Sequence, residues 1–447
     1  MNPRQSDLWD SIRYSYWFVP AILAILAAGL AFLTLQLDRQ LDAATLASTG
    51  IIFNGGPGEA STLLSAIIGS MVTVSGTTFS IVIVALVLAS SQFGPRLLRN
   101  FMRDFGNQMV LGTFIATFIY CLLVLRDVRS DTANPFVPHL SVTVGVGLAL
   151  VSVGVLIFFI HHAARSIQAP YVIKTISKDL DTSIERLYPQ RLGQDPPLHK
   201  VDRVEEDIPA DFEAQAGQVY SPGSGYIQAI DTRTLLHLAI KHDLLVRLIF
   251  RPGAYVMKGQ EVALVWPPQK IDRSLKEKFS QCFILGNYRT QEQDIEFDLN
   301  QLVEMAIRAL SPAINDPFTA MMCTDRLGEG LCRLAARDFP SPFRYDNAGN
   351  LRVITDNTDF PHLVKASFNQ LRQYGKESVS VTVRLLEVIL LVLRHARNEE
   401  QREVLQREAE MIYRGSCEAI TEPNDLDAIR ARYDKILKIL ATARQTS

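Results

Sequence analysis

Four long stretches in the first third of the chain carry no charged side chain, whereas charge is frequent from residue 161 onward. They run from about Trp17 to Leu37, Ser61 to Ser90, Met109 to Leu125 and Leu140 to Ile160. At 1.5 Å per residue each is long enough to cross, or nearly cross, a bilayer core of about 30 Å. Tyr14, Tyr16 and Trp17 supply an aromatic anchor at the start of the first. A signal peptide fits that segment less well, because its apolar run is too long and Asp7 and Asp10 offset Arg4 and Arg13. The fourth span carries Gly145, Gly147, Ser152 and Gly154 as close-approach positions, and the first connection is turn-rich through Gly55, Gly56, Pro57 and Gly58.

The second stretch departs from plain apolar composition. Thr62, Ser65, Gly69, Thr73, Gly76 and Ser80 recur every three or four residues, which places them on one face of a helix. Small and hydroxylated side chains at that period serve close helix packing, or they line a pore where hydroxyls meet water or ions. Beyond Ser90, the run Ser91-Gln92-Phe93-Gly94-Pro95 interrupts the helix, since proline disfavours helical backbone in the residue before it. In the following RLLRNFMRDF, Arg96, Arg99 and Arg103 fall opposite Leu98, Phe101, Met102 and Phe105. That pattern suits a helix lying in the interface with its arginines on anionic headgroups; a surface helix packed on a soluble domain is the alternative.

Basic residues orient the spans. Arg4 and Arg13, then Arg96, Arg99 and Arg103, then Arg165, Lys174 and Lys178 fall on one side, against Arg39, Arg126 and Arg129 on the other. The excess of positive charge predicts both termini and the soluble part in the cytoplasm. No Asp, Glu, Lys, Arg or His falls inside any span. Proton-coupled pumps usually need such a residue at depth, so a passive channel or a plain anchor fits better. His161 and His162, followed by Arg165, read either as interfacial anchors or as a pH-sensitive gate.

The remainder predicts an α+β region on a membrane α-helical base, divided as 1–165 transmembrane domain, 166–217 connecting helix and linker, 218–267 small β-module and 268–447 mainly helical domain. Val172, Ile173, Ile176, Leu180, Ile184 and Leu187 mark an amphipathic helix, followed by a proline-rich, aperiodic stretch over 189–216. Short strands are expected at Gly225–Ile230 and Leu244–Phe250, separated by a helical piece at Thr232–Lys241. The run RPGAYVMKGQEVALV resembles one half of a biotinyl/lipoyl-like barrel-sandwich module but lacks the tip lysine between two methionines, so no swinging-arm chemistry is implied. Further on, a hairpin is read at Phe343–Ile354 and helices near Pro361–Gln373, Ser378–His395, Asn398–Ile420 and Asp425–Ala443.

Composition narrows the function classes. With 447 residues, net charge −2 and no basic field, nucleic-acid binding is not indicated. The five cysteines have neither framework nor metal-ligand spacing, and His237 and His242 lie on different helix faces, so no metal or cofactor is expected.

One polar set remains. In RTQEQDIEFDLNQLVEMAIRALSPAINDPFTAMMCTD, the residues Arg289, Glu292, Asp294, Asn315 and Asp316 surround a helix–turn–helix. Carboxylates with an arginine can do acid–base work or hold a phosphate. Capping and buried polar bracing explain Asn315, Asp316 and Arg289 without catalysis, since Asp316 before Pro317 is what a helix start requires in Ser311-Pro312-Ala313-Ile314-Asn315-Asp316-Pro317. No phosphate loop, nucleophile elbow or HExxH accompanies them.

This segment, together with VALVLASSQFGPRLLRNFMRD (Val84 to Asp104), resembles a family of predicted bacterial integral membrane proteins known only as a domain of unknown function. The resemblance covers nearly the whole chain and implies four spans, a cytosolic tail and an inner-membrane address, but no activity. In Glu296-Phe297-Asp298 a different turn stands where the family would have phenylalanine followed by glycine. The expectation is therefore a homo-oligomeric channel or pore lined by the second span with a cytosolic assembly or gating part. The alternative is a membrane-anchored sensor or scaffold, and a membrane-tethered enzyme trails both.

Overall fold

The computed structural model describes residues 17–40, 52–94, 104–129, 136–188 and 208–446. The chain divides into two compact units, Met1–Tyr171 and Val172–Ser447.

In the first unit four helices are long and apolar enough to cross a membrane: α1 (Phe18–Gln40), α2 (Pro57–Phe93), α3 (Phe105–Asp127) and α4 (His139–Ser166). All four extend beyond the apolar stretches that announce them. With 37 residues, α2 is about 55 Å long and outreaches a bilayer core. It stops at Phe93 because Gly94 turns into a positive-φ conformation, just before the proline that the sequence marks as a breaker. The predicted basic interfacial helix with Arg96, Arg99 and Arg103 lies outside the described residues.

Helix α3 is the interior of this unit. Half of its apolar window is buried, against 28%, 22% and 17% for α1, α2 and α4, and it packs on all three. Tyr120 shares a hydrogen bond with Thr34 Oγ1 on α1 (2.9 Å) and donates to the Ser141 carbonyl on α4 (3.0 Å). Thr117 pairs with Ser152 at 3.0 Å. The first turn of α4 follows Pro138, which has no side chain to cap it. Asp38 on α1 does so instead, accepting from Leu140 N (2.8 Å), Ser141 N (2.9 Å) and Ser141 Oγ (2.6 Å). Gly145 lets α4 close on Cys121 and Leu64, while Gly147 and Gly154 face open space. His162 is drawn into the α3–α4 contact, 2.8 Å from Asp104 and stacked on Phe158, whereas His161 stays exposed.

The second unit is α+β. Helix α5 (Ala169–Leu187) buries Ile173, Ile176, Leu180 and Ile184, and Gly330 admits Leu180 closely. After α6 (Phe212–Gln215) come β1 (Gly217–Tyr220), β2 (Gly225–Ile230), α7 (Thr232–Lys241), β3 (Leu245–Leu248), β4 (Tyr255–Val256) and β5 (Glu261–Trp266). Helix α8 (Arg273–Ser280) and β6 (Phe283–Gly286) follow, then α9 (Ile295–Ala309) and α10 (Pro317–Ala335). The hairpin β7 (Phe343–Tyr345) and β8 (Leu351–Ile354) precedes α11 (Phe360–Gly375), α12 (Val379–Leu393), α13 (Glu399–Ala419) and α14 (Pro423–Thr446). The apolar run Val388–Leu393 of α12 is largely core, with Val388, Ile389, Val392 and Leu393 buried.

The barrel-sandwich expectation for 218–267 gives way here. The strands form two open sheets, ordered β1-β5-β3-β8-β7 and β4-β2-β6. Each recruits partners from beyond residue 267: β6 pairs antiparallel with β2, and β8 pairs parallel with β3 through Val246↔Val353. The edges of the local hairpins are thus satisfied by distant strands rather than by mutual closure. Val219, Ile227, Val246, Val262, Val265 and Phe279 pack between the sheets and helices α7 and α8.

Replacing Asp38 with Ala removes three accepted hydrogen bonds and a helix cap. We expect the full chain in detergent to lose about 1–3 kcal/mol, read as a lowered Tm. An unchanged Tm would mean the α4 end is capped by another group.

Candidate functional site

Two polar arrangements stand out, one in each unit. The first is the stripe on α2. Thr62, Ser65, Gly69, Thr73, Gly76 and Ser80 are all exposed in the protomer, and a Cβ added at Gly69 or Gly76 would touch nothing. The buried face of α2 is a different one, made by Ala60, Leu64, Met71, Thr78, Val82, Ala85 and Ala89. The stripe is therefore not used to pack the protomer's own four helices. Its hydroxyls turn inward to the backbone: Thr62, Thr73 and Ser80 donate to the carbonyls of Gly58, Gly69 and Gly76 at 2.8, 3.0 and 2.9 Å. Ser70 and Thr77 do the same, to Ala66 and Thr73. Beside the stripe, Thr77 and Ser80 edge an apolar groove of about 430 Å³ whose other walls include Val84, Leu88, Phe159 and Ile160.

The second arrangement sits at the start of α9. Arg289 grips Asp294 with two hydrogen bonds, Nε to Oδ2 at 2.7 Å and Nη2 to Oδ1 at 2.8 Å. Asp294 is 5% exposed; burial pushes its carboxyl up and the guanidinium pulls it part of the way back. Gly253 lies directly over the pair. It has φ +92°, and a Cβ there would stand 2.4 Å from Asp294 Oδ2 and 2.9 Å from Arg289 Nη2, so only glycine fits. Glu296 continues the chain of charges, 3.6 Å from Arg289 Nη2 and 2.8 Å from both Arg251 Nη2 and His362 Nε2.

The five residues singled out together in the sequence are divided by the fold. Arg289 and Asp294 form the pair just described, and Glu292 is exposed beside it. Asn315 and Asp316 lie past the far end of α9, whose 15 residues span about 22 Å. There Asp316 starts α10: Oδ1 accepts from Thr319 N at 3.1 Å and Oδ2 from Thr319 Oγ1 at 2.6 Å, with Pro317 in the first turn. Asn315 takes φ +49°, a conformation that asparagine tolerates. No local pattern joins Arg251 and His362 to Glu296, because 45 to 111 positions separate the groups in contact.

Two buried carboxyls interrupt apolar helix faces. Asp298 falls between Ile295 and Leu302 on α9, and Glu408 between Leu405 and Ile412 on α13. Ser183 donates to Asp298 Oδ2 at 2.6 Å, while Asp298 Oδ1 and both Glu408 oxygens have no partner among the described residues. Burial pushes each carboxyl up to about 7; the Ser183 hydroxyl opposes this at Asp298 and the Arg372 charge opposes it at Glu408.

The family described as "Predicted membrane protein (DUF2254)" matches residues 13–390 of this chain. The uncharacterized protein Rv1290c of Mycobacterium tuberculosis is 30% identical over 434 residues, which cover 95% of this chain and 80% of that one. The uncharacterized protein Mb1321c of Mycobacterium bovis matches to the same extent. No solved structure matches the chain.

Arg289→Ala would leave Asp294 buried with its charge unpaired, and we expect the second unit to lose about 3–5 kcal/mol in a denaturant titration of the full chain. Loss below about 1 kcal/mol would mean that the carboxyl is held by water instead. The two buried carboxyls set a pH dependence of defined sign. Folded, they keep protons up to about pH 7 that the unfolded chain releases near its ordinary carboxylate range of about 4. Their contribution is therefore full below about pH 4 and is lost as pH rises through about 7. Glu408→Gln should match the native chain in stability at about pH 4 and exceed it by roughly 1–3 kcal/mol at pH 8. Parallel pH profiles for the two would show that Glu408 is solvated.

Proposed function

The chain belongs to the DUF2254 family of predicted membrane proteins, and from that premise we propose that it acts as an oligomeric channel in which α2 of several copies surrounds the conduit. One observation carries this reading: the stripe from Thr62 to Ser80 is exposed and lies opposite the buried face of α2, with only Ser80 edging the groove beside α4. Facing acyl chains, glycine, serine and threonine gain nothing over leucine or valine. Facing a second copy, they permit close approach, and facing water, they offer hydroxyl oxygens. Bilateral exposure of α2, with Val72, Phe79, Val84 and Val87 also uncovered, leaves room for neighbours on both sides of the stripe. The spans carry no charged group in their central stretches, which suits passive permeation by water and small polar or ionic species rather than proton coupling.

We place both termini and the second unit in the cytoplasm of a bacterial inner membrane, on the positive-inside count, with Arg96, Arg99 and Arg103 toward anionic headgroups. In this reading the cytosolic unit assembles or gates the pore. A second reading, a membrane-anchored sensor or scaffold without transport, is favoured by the back-bonded hydroxyls. Donors already committed to their own helix carbonyls tolerate lipid well.

Reconstitution separates the two. Purified protein in vesicles should raise ion flux above protein-free vesicles, and Thr73→Leu or Ser80→Leu should cut that flux at least tenfold without changing Tm. Native protein that passes no ions, or variants that conduct as the native chain does, would overturn the conduit and leave the anchor.

A further inference from the structure

The second unit contains a cavity of about 540 Å³, inside the range of roughly 300–1,000 Å³ that small-molecule sites occupy. It opens between the end of β2, the start of α7, the end of β3 and the chain that follows β8. Part of its wall is apolar, through Leu236, Leu248, Phe250 and Val353. Three guanidiniums, Arg233, Arg251 and Arg344, share the lining with a single carboxylate, Asp356.

These arginines differ in one decisive respect. Arg251 is already neutralised, by Glu296 at 2.8 Å and Asp356 at 3.7 Å. Arg233, which is exposed, and Arg344, which is half-buried, have no carboxylate partner among the described residues. Burial pulls the Arg344 pKa down, as expected for a cation held away from water without a counter-ion. Nη1 of Arg344 donates to the carbonyls of Ser341 and Phe343, which fixes the side chain and brings it no opposite charge.

The wall is also preformed. Gln293 spends both ends of its amide on the Ile230 backbone, accepting from N at 3.0 Å and donating to O at 3.2 Å. Asn357 donates to the carbonyls of Pro340 (2.9 Å) and Ser341 (3.1 Å), and Thr355 to that of Pro342 (2.9 Å), tying the two lips of the opening together. A ligand entering here orders little that is not ordered already.

We propose that this cavity binds a small phosphate ester, its phosphoryl oxygens held by Arg233 and Arg344 and its organic body laid against Leu236 and Phe250. Two guanidiniums without a carboxylate partner among the described residues match the charge of about −1.5 to −2 on a phosphomonoester better than the single charge of a carboxylate. Their forked donors suit phosphoryl oxygens, and the apolar wall demands a body beyond inorganic phosphate. This holds whether or not the spans conduct, so its test is independent of flux.

The same chemistry is carried by soluble esters and by a phospholipid with a phosphomonoester headgroup, so the experiment uses both. The full chain in neutral detergent is titrated calorimetrically with adenosine monophosphate, glycerol 3-phosphate and short-chain phosphatidic acid, and with adenosine as the phosphate-free control. At least one phosphate probe should bind saturably, and adenosine at least tenfold more weakly than adenosine monophosphate wherever the latter binds. Arg344→Gln and the surface variant Arg233→Gln should each weaken the binding probe at least tenfold, with Arg344→Lys intermediate. Binding by phosphatidic acid alone assigns the site to lipid, and binding by the soluble esters assigns it to a metabolite. The proposal is overturned if no phosphate probe binds the native chain. It is equally overturned if Arg233→Gln, with Tm unchanged, binds as tightly as the native chain.

Discussion

Asp38 holds the amino end of α4, and much of the membrane unit follows from that contact. A helix start without its own cap leaves backbone donors that must find acceptors close to a low-dielectric region. The carboxylate on α1 supplies them, and Tyr120 then ties α1 and α4 to α3 through Thr34 and the Ser141 carbonyl. Arg39 to Asp127 at 2.6 Å and His162 to Asp104 at 2.8 Å close the two ends of the same three-helix group. Helix α2 takes a different part. The hydroxyls of Thr62, Ser70, Thr73, Thr77 and Ser80 bond to its own carbonyls, and its contact with the other helices is mainly apolar, through residues such as Ala60, Leu64, Met71 and Val82. Its polar face is thereby left out of the protomer's own bonding.

The second unit solves the opposite problem, burying charge rather than avoiding it. Asp294 is admitted to the interior because Arg289 meets it with two donors and because Gly253 has no side chain to obstruct them. Glu296 extends this neutralisation to Arg251. Arg233 and Arg344 face the cavity with no carboxylate partner among the described residues, and burial pushes Asp298 and Glu408 up to about 7. The unit therefore contains both a surplus of positive charge at a concave surface and acids sensitive to the pH range around 7.

The mycobacterial relatives carry no activity in their names, and in this chain the two polar arrangements lie in separate units. The stripe and the cavity raise separate questions in separate units. Flux addresses one and ligand binding the other, so each stands or falls alone.

Local pattern alone determined much of the chain. The four spans, the glycine stop after Phe93, the cap at Asp316 and the hairpin around Gly349 are each decided by neighbours a few residues apart, within reach of helical or turn geometry. Periodicity also grouped Thr62 to Ser80 on one face, because a helix fixes which side chains share a side. It could not say what that face meets, since the covering of α2 depends on where α3 and α4 pack. Nor could it see that β2 and β3 take β6 and β8 as partners, that Asp38 caps a helix 102 positions away, or that Arg233 and Arg344 meet at one cavity. Pairing across such separations is settled by the packing of whole elements, where edge strands, helix ends and buried charges find their partners, and no spacing along the chain encodes it.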